Sequence, residues 1–181
     1  ARFSNPTLVH RYGNDSMPQT GDNVALEYSI SREDADRFAA ASQARYQVAL
    51  QAGVLDDEIL AIDVPTGRKG QTQRVSHDEH PRPQSDLAAL SRLQPLFPNG
   101  VVTAGNASGI NDGAAAVLLG NREIGIAHGV QPMARILSSA VVGVEPRIMG
   151  IGPHRAIEVA LQRAGISLAH VDLIEINEAF A

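Results

Sequence analysis

Apolar side chains recur along this chain with two spacings, one typical of helices and one typical of strands. Helical spacing is clearest in residues 31–53, where the hydroxyl of Ser31 lies three residues before the carboxylate of Asp34 and an alanine-rich stretch follows. That arrangement is typical of a helix N-terminus, and Gly53 suits the C-terminus. The pattern therefore predicts a helix over 31–53. Residues 1–26 are irregular and punctuated by turn residues, which predicts a loop with at most short pieces of order.

Alternating positions predict two short strands, at 58–64 and Thr72–Val75, and a leucine-rich helix follows from Ser85 to Leu93. The second half of the chain alternates predicted helices with apolar strands. In order, these elements are a helix at 121–129, a strand at 133–144, a helix at 153–165 and a strand at 171–176. Because nearly continuous apolar strands are typical of sheets buried on both faces, this alternation predicts an α/β fold with helices covering a sheet.

Length and charge narrow the class of protein. The chain has 181 residues, enough to bury a hydrophobic core, and 15 Lys and Arg against 20 Asp and Glu give a net charge of −5. This balance disfavours nucleic acid or an anionic membrane surface as a partner. No apolar run approaches the roughly 20 residues of a membrane helix. We therefore expect a cytoplasmic protein, and the absence of Met at position 1 suggests a cut start.

The chain contains no cysteine, which excludes disulfides and thiolate nucleophiles within these residues. Imidazoles and carboxylates are crowded together at His77, Asp78, Glu79 and His80. These residues precede Pro81 in a predicted loop and lack the helical spacing that places metal ligands on one side. The sequence therefore favours a solvated polar loop here, and we expect no metal.

Residues 103–113 form the most informative stretch, because they contain only small side chains, Asn106, Asn111, Asp112 and one Ile. Small side chains let a backbone approach a ligand or another chain closely. The glycine pattern of a nucleotide-phosphate loop is absent. Tight helix packing would explain the glycines and alanines but leaves the interleaved polar residues unexplained. The stretch therefore indicates a site of close approach.

Five ordered segments give the chain a resemblance to a known family. They are Asn23 to Ala25 with Ser31 to Glu33, Asp78 to Pro83, Thr103 to Gly113, Gly143 to Pro146 with Ile148 to Pro153, and Asn177 to Ala181. Together they resemble the thiolases, the CoA-dependent acyltransferases that cleave or join 3-oxoacyl-CoA. Residues 13–18 are most similar to the bacterial 3-oxoadipyl-CoA branch of that family.

The resemblance implies a layered α/β core made of two similarly folded halves, with a loop domain inserted in the first. Residues 1–102 would form the CoA-binding loop domain, 103–144 the end of the first half and 145–181 the start of the second. It also implies ping-pong acyl transfer, in which one cysteine takes the acyl group, a second cysteine moves a proton and a histidine activates the first. None of these three groups matches a position here, so this chain is expected to be the middle segment of such an enzyme and inactive alone.

Asn177 matches the family asparagine that holds a water in an oxyanion hole, although N-capping of a helix is an alternative. Ser108 matches the serine that bonds the pantetheine arm of CoA, and a hydroxyl bonding its own turn is the alternative. Arg82 matches an arginine near the CoA nucleotide, where a guanidinium suits phosphate oxygens. Ser16 stands at a position for adenine contacts, where many acetoacetyl-CoA thiolases have His. The apolar lining of the pantetheine tunnel is matched by Met17, Phe97, Ala104, Met149, Ala179 and Phe180.

CoA and acyl-CoA are thus the expected partners, as substrates, with no permanently bound cofactor. The resemblance also implies a homodimer or homotetramer. Two alternatives stay open at this point: a cysteine-free thiolase-like protein that binds CoA or lipid without catalysis, and a proteolysed remnant of an enzyme.

Overall fold

The computed structural model of the chain describes residues 5–67 and 69–181. Its helices are α1 (Pro6–Tyr12), α2 (Met17–Glu27), α3 (Arg32–Gln51), α4 (Leu87–Leu90), α5 (Arg122–Ala127) and α6 (Gly152–Ala164), its strands are β1 (Ile62–Pro65) and β2 (Thr72–Val75), and 3-10 helices span Pro146–Ile151 and Leu168–His170. The described residues divide into two compact units. We call Ser16–Gly109 with Glu178–Ala181 the packed unit, and residues 5–15 with 110–177 the extended unit.

Helix α3 is the longest element of the packed unit and confirms the helix predicted over 31–53. The Ser31 hydroxyl accepts a hydrogen bond from the Asp34 amide at 3.1 Å and donates to the Asp34 carboxylate at 2.6 Å. Glu33 and Asp34 lie in the first turn, where negative charge is favoured by the helix dipole. The N-terminus of α3 is therefore held by its own sequence.

Small residues let the elements of the packed unit approach closely. Ala35 and Ala39 of α3 are buried, as are Leu90 and Val102. A Cβ on Gly105 would lie 2.5 Å from methyl groups of both Leu90 and Leu93, so a larger residue there would require these side chains to shift. At Gly105 the glycine therefore serves packing within the unit, and the approach of a ligand to residues 103–113 stays a prediction.

Strands β1 and β2 form an antiparallel hairpin in which Ile62 pairs with Val75 and Pro65 with Thr72. The second strand has the predicted bounds. The first is shorter than predicted, because residues 58–61 have no partner across the pair. All four residues of β1 are exposed, so the hairpin adds little to the core.

Three other predicted helices form with shorter or shifted bounds. Helix α4 begins after Asp86, whose carboxylate accepts the Ala89 amide at 2.7 Å, and it ends before the predicted Leu93. Helix α5 begins after Asn121, which accepts the Ile124 amide at 2.8 Å. Helix α6 is followed by Gly165 in the left-handed conformation, with φ of 69°.

The loop predicted over 1–26 is wrong for most of its described part, because α1 and α2 lie there; residues 1–4 fall outside the described residues. The Asn5 side chain accepts the amides of Thr7 and Leu8 at the start of α1. The Ser16 amide donates to the Gln19 side chain at 2.8 Å at the start of α2. These capping residues were the signal, and the neighbouring prolines suit the first turn of a helix rather than only a turn.

The strands predicted at 133–144 and 171–176 are also wrong for this structure, where neither segment forms regular secondary structure or pairs with another strand. A strand needs a hydrogen-bonded neighbour, and the described residues supply none to either segment. Their apolar side chains remain exposed, with Met133, Val141 and Leu173 each more than nine-tenths accessible. The pattern identified apolar segments, whereas strand pairing depends on residues far away in the chain.

Helix α6 nevertheless holds part of the extended unit. The Ser138 hydroxyl donates to the Ala160 carbonyl at 2.7 Å, and the Arg163 guanidinium donates to the Ser139 carbonyl at 2.7 Å. These two bonds attach the first extended segment to the C-terminal half of the helix.

Candidate functional site

An antiparallel pairing joins the 103–109 segment to the last residues of the chain within the packed unit. Ala107 and Phe180 are bridge partners. The Ser108 amide donates to the Ala179 carbonyl at 2.9 Å, and the Ala181 amide donates to the Asn106 carbonyl at 2.8 Å. We call these paired residues, 106–108 with 179–181, the Ser108–Phe180 pairing. It brings three of the predicted CoA-contacting residues together.

The Ser108 side chain is free to bind a ligand. Ser108 is exposed, and its backbone amide donates to the Ala179 carbonyl. No described residue forms a hydrogen bond with the Ser108 hydroxyl. The alternative in which this hydroxyl bonds its own turn is therefore not what the structure contains. A hydroxyl held by its backbone on a firm pairing suits a hydrogen bond to an amide of a ligand.

Helix α2 lies against Phe180. A Cβ on Gly21 would lie 3.2 Å from the Phe180 ring and 3.1 Å from a Val102 methyl group, which shows how closely the helix approaches. Met17 lies one helical turn before Gly21 and so on the same side of α2. Half of the Met17 side chain is accessible. Met17 and Phe180 thus lie along one face of α2.

The other lining residues are less closely associated. Ala104 is exposed between the buried residues Thr103 and Asn106, and Phe97 is half-buried in the preceding turn. Met149 lies in the 3-10 helix of the extended unit and is 40% exposed. Within the described part of the packed unit, no hydrogen bond or bridge joins Phe97 or Ala104 to Ser108.

Asn177 ends an extended segment and is exposed. No helix begins at Asn177 within the described residues, so its side chain caps none here. The next residue, Glu178, accepts a hydrogen bond from the Ser42 hydroxyl of α3 at 2.6 Å. Glu178 is therefore held to α3 through its side chain, while Asn177 itself is exposed.

The Arg82 side chain stabilises the loop just before it through one guanidinium nitrogen, Nη1. Its Nη1 donates to the carbonyls of Glu79, His80 and Pro81 at 2.6, 2.8 and 3.0 Å, and its backbone amide donates to Gln43 of α3 at 2.8 Å. Among the described residues, none accepts a hydrogen bond from Nε or Nη2. The guanidinium is thus oriented by the loop and keeps donors for an anion. Ser16, the predicted adenine-side residue, is exposed at the start of α2.

The histidine-rich loop at 77–80 makes a different contact. The Tyr46 hydroxyl donates to the Asp78 carboxylate at 3.1 Å. Burial and this hydrogen bond raise the pKa of Tyr46.

Within the residues that the structure describes, no group of three or more His, Cys, Asp or Glu side chains could hold a metal ion. No helix among them is long and apolar enough to cross a membrane.

Sequence reasoning missed a buried polar network that leads to Asn106. Asp36 is 1% exposed and binds Arg32 through Nε at 2.8 Å and Asn106 through Nδ2 at 2.9 Å. The spacing of Arg32 and Asp36, four residues apart on a helix, was a signal for the first contact. Nothing in the sequence pattern pointed to the second, which joins residues 70 positions apart.

Comparisons with known proteins place this geometry in a family. The chain matches the thiolase N-terminal domain over residues 3–123 and the thiolase C-terminal domain over residues 130–181. It is 52% identical to the beta-ketoadipyl-CoA thiolase of Pseudomonas aeruginosa and 49% identical to the 3-oxoadipyl-CoA/3-oxo-5,6-dehydrosuberyl-CoA thiolase of Escherichia coli. Each match covers 99% of this chain and 45% of the relative, so the chain spans less than half the length of these relatives.

Solved structures agree with the fold. The acetyl-CoA acetyltransferase of Bacillus anthracis is 43% identical, with a TM-score of 0.85, over 91% of this chain and 41% of that one. Human mitochondrial 3-ketoacyl-CoA thiolase in complex with CoA is 45% identical, with a TM-score of 0.82, over 91% and 40%. These likenesses confirm the predicted class, an α/β segment of thiolase fold. With both domain matches and the ordered motifs in agreement, the chain belongs to the thiolase family.

Proposed function

We propose that the protein to which this chain belongs is a thiolase that cleaves or forms 3-oxoacyl-CoA by acyl transfer, with 3-oxoadipyl-CoA as its substrate. The observation that carries this proposal is the identity of about half to beta-ketoadipyl-CoA thiolases across 99% of the chain. It favours an enzyme over a non-catalytic CoA- or lipid-binding protein, because the relatives are named for the reaction.

Ser108, Ala179 and Phe180 bind the pantetheine arm in this proposal, with Met17 beside them on α2. The support is the accessible Ser108 hydroxyl and the closely packed backbone of the Ser108–Phe180 pairing. A thin, amide-bearing chain needs both close approach and a hydrogen-bonding group. The further lining residues proposed are Phe97, Ala104 and Met149.

Arg82 binds the phosphates of the CoA nucleotide, and Ser16 lies on the adenine side. The support for Arg82 is its loop, which orients the guanidinium through Nη1 while Nε and Nη2 keep their donors. A planar guanidinium pairs well with phosphate oxygens.

Asn177 orients a water that stabilises the oxyanion formed during acyl transfer. Support comes from its accessible amide and from the anchoring of Glu178 by Ser42. A donor aimed at developing negative charge acts mainly in the transition state, so Asn177 should affect kcat more than CoA binding. Because this chain has no cysteine, the thiolate nucleophile comes from another part of the protein.

The complete enzyme is a homodimer or homotetramer in the cytoplasm in this proposal, and CoA serves as substrate rather than as a resident cofactor. Light scattering of the purified gene product tests the assembly, and cell fractionation tests the location. The division at residues 102 and 144 into loop domain, first half and second half is also part of this proposal.

The function is tested by incubating the complete gene product with 3-oxoadipyl-CoA and CoA and measuring acetyl-CoA by chromatography. Arg82→Ala should raise the KM for CoA, and the control Arg92→Ala, an exposed arginine of the same unit, should not. Dephospho-CoA should reduce the difference if Arg82 meets the 3′-phosphate. No acetyl-CoA above background from the parent protein would refute the thiolase proposal.

Asn177→Ala should lower kcat by about a hundredfold, with the Kd for CoA near the parent value. The matched control is Glu175→Ala, an exposed residue on the same extended segment, which should leave kcat within about twofold. Equal kcat values for Asn177→Ala and the parent would remove Asn177 from the mechanism without affecting the family assignment.

A further inference from the structure

We propose that Arg32, Asp36 and Asn106 form a positioning network that holds the Ser108–Phe180 pairing in the geometry needed for acyl-CoA; this inference rests on the proposed thiolase function. The three residues touch no substrate in the proposal. They act through the backbone of residues 106–108, which carries Ser108.

Asp36 is the centre of the network. Its side chain is 2% exposed, and each carboxylate oxygen has its own donor: Arg32 Nε at 2.8 Å for Oδ2 and Asn106 Nδ2 at 2.9 Å for Oδ1. A buried carboxylate is costly unless it is paired and hydrogen-bonded. Asp36 therefore fixes both partners, because losing either one leaves a buried oxygen without a donor.

Asn106 is fixed from every side. It is 4% exposed, its Nδ2 donates to Asp36 and to the Val101 carbonyl at 2.9 Å, and its Oδ1 accepts the Thr103 amide at 2.7 Å. Both N–H groups and the oxygen of the Asn106 side-chain amide are thus hydrogen-bonded. Because Asp36 only accepts, the amide of Asn106 has one possible orientation, and residues 101–106 close around it.

The backbone of Asn106 continues the network to the substrate-contacting residues. Its carbonyl accepts the Ala181 amide at 2.8 Å, and two residues later the Ser108 amide donates to Ala179 at 2.9 Å. A shift of Asn106 therefore moves one end of the Ser108–Phe180 pairing. Misplacement of a binding group by about 1 Å can cost about a hundredfold in rate.

Arg32 extends the same network to α4. Its Nη2 donates to the carbonyls of Leu90 and Leu93 at 2.7 and 2.9 Å. The side chains of these two leucines occupy the space that a Cβ on Gly105 would fill, and Gly105 is the residue before Asn106. Arg32 thus supports Asn106 in two ways. It binds Asp36, which binds Asn106, and it binds the carbonyls of the two leucines whose side chains lie beside Gly105.

The test uses the complete enzyme with Asn106→Ala, Asp36→Asn and the exchanged double variant Asp36→Asn with Asn106→Asp. Ala39→Gly is the control, because it weakens the same helix at a buried site outside the network. Each protein is assayed well below its own unfolding temperature, with kcat, the KM for CoA and the Kd for CoA measured together.

We expect both single variants to lower kcat/KM for CoA by about tenfold or more, and Ala39→Gly to stay within about twofold at the same folded fraction. The exchanged variant restores the hydrogen bond between positions 36 and 106 with donor and acceptor reversed. It should recover part of the loss, since the Val101 carbonyl still loses its donor.

Single variants with parent kinetics, no recovery in the exchanged variant, or failure of all three to fold would overturn the positioning role and make the network purely structural. The parent is assayed first. If it binds CoA without turnover, the thiolase function is wrong, and the Kd for CoA alone then decides the positioning role. If it does not bind CoA, both proposals fail.

Discussion

The packed unit contains nearly all the buried residues of the described chain, although it too leaves some apolar side chains exposed, such as Leu26 at 80% and Leu60 at 84%. Of the described residues that are buried, only Ile148 lies outside the packed unit. In the extended unit, Ile110, Leu118 and Leu173 are each at least 89% exposed. The difference does not come from hydrophobicity, since both units are rich in alanine, valine, leucine and isoleucine.

The difference comes from how each type of segment satisfies its backbone. Helices α2 and α3 bond their own amides and need only one face covered. An extended segment needs a partner strand before its amides are bonded and its side chains can be packed. A helix is not sufficient for burial, since α6 of the extended unit has 13 residues and none of them is buried.

The largest effect should separate the two units directly. Leu90→Ala removes a side chain that is 2% exposed and should lower the free energy of unfolding by about 2–5 kcal/mol. Leu173→Ala removes one that is 92% exposed and should change it by no more than about 0.5 kcal/mol. Urea unfolding of the 181-residue chain measures both. Equal losses would show that the extended segment is packed after all.

Adding one methyl group to a glycine should repeat this contrast on a smaller scale. Gly105→Ala forces a Cβ against Leu90 and Leu93 and should cost about 1–3 kcal/mol. Gly113→Ala meets nothing within 4 Å and should stay within about 0.5 kcal/mol. The same unfolding experiment applies, and a costly Gly113→Ala would contradict the comparison.

Helix caps should show a weaker contrast. Ser31→Ala removes the side-chain cap of α3, a helix of 20 residues, and should lower the free energy of unfolding by about 1 kcal/mol. Asn121→Ala uncaps α5, which has six residues and none buried, so its effect should be under about 0.5 kcal/mol. Thermal unfolding followed by circular dichroism measures both. Ser31→Thr should retain most of the stability.

The smallest predicted effect is on the pKa of one surface carboxylate in each unit. It should be similar in both units, because each pKa is set by neighbours within one helical turn. Hydrogen bonds from the Ser31 hydroxyl and then from Arg37 lower the pKa of Asp34, and a hydrogen bond from Arg155 lowers the pKa of Glu158. Each carboxylate therefore stabilises the fold above its unfolded-state pKa, and this contribution is lost as pH falls through the folded-state pKa.

Carbon-13 NMR titration checks this directly. Ser31→Ala should raise the titration midpoint of Asp34, and Arg155→Ala should raise that of Glu158. Since both carboxylates lie at the surface, with side chains about half exposed, the changes should be small and reduced by salt. A midpoint that does not move in either variant would separate that pKa from its proposed hydrogen bond.

Sequence reasoning succeeded where the deciding contacts are local. Helix α3, strand β2 and helix α6 were predicted because caps, alternation and apolar spacing are written in adjacent residues. Helices α1 and α2 were missed, although Asn5 and Ser16 carried the capping signals. Those signals were available, and the turn residues around them were weighted too strongly.

The candidate site divides in the same way. Ser108, Phe180 and Asn177 were named because their motifs resemble those of thiolases, and the bridge of Ala107 with Phe180 gives two of these motifs a shared location. The network through Asp36 was missed: the four-residue spacing from Arg32 was a local signal for one contact, but no local pattern indicates that Asp36 is buried or that Asn106 binds it. Its charge makes sense only when its distant donors are known.

The sequence by itself determined helices α3 and α6, the absence of a thiol and the family motifs. The tertiary structure alone decided that Asn106 meets Asp36 across 70 positions and that Ser108 pairs with Ala179. The physical reason is chain entropy and geometry: a capping bond closes a loop of three residues at little cost, so adjacent residues specify it. A bond across tens of residues forms only when the packing of everything between its ends holds donor and acceptor in place.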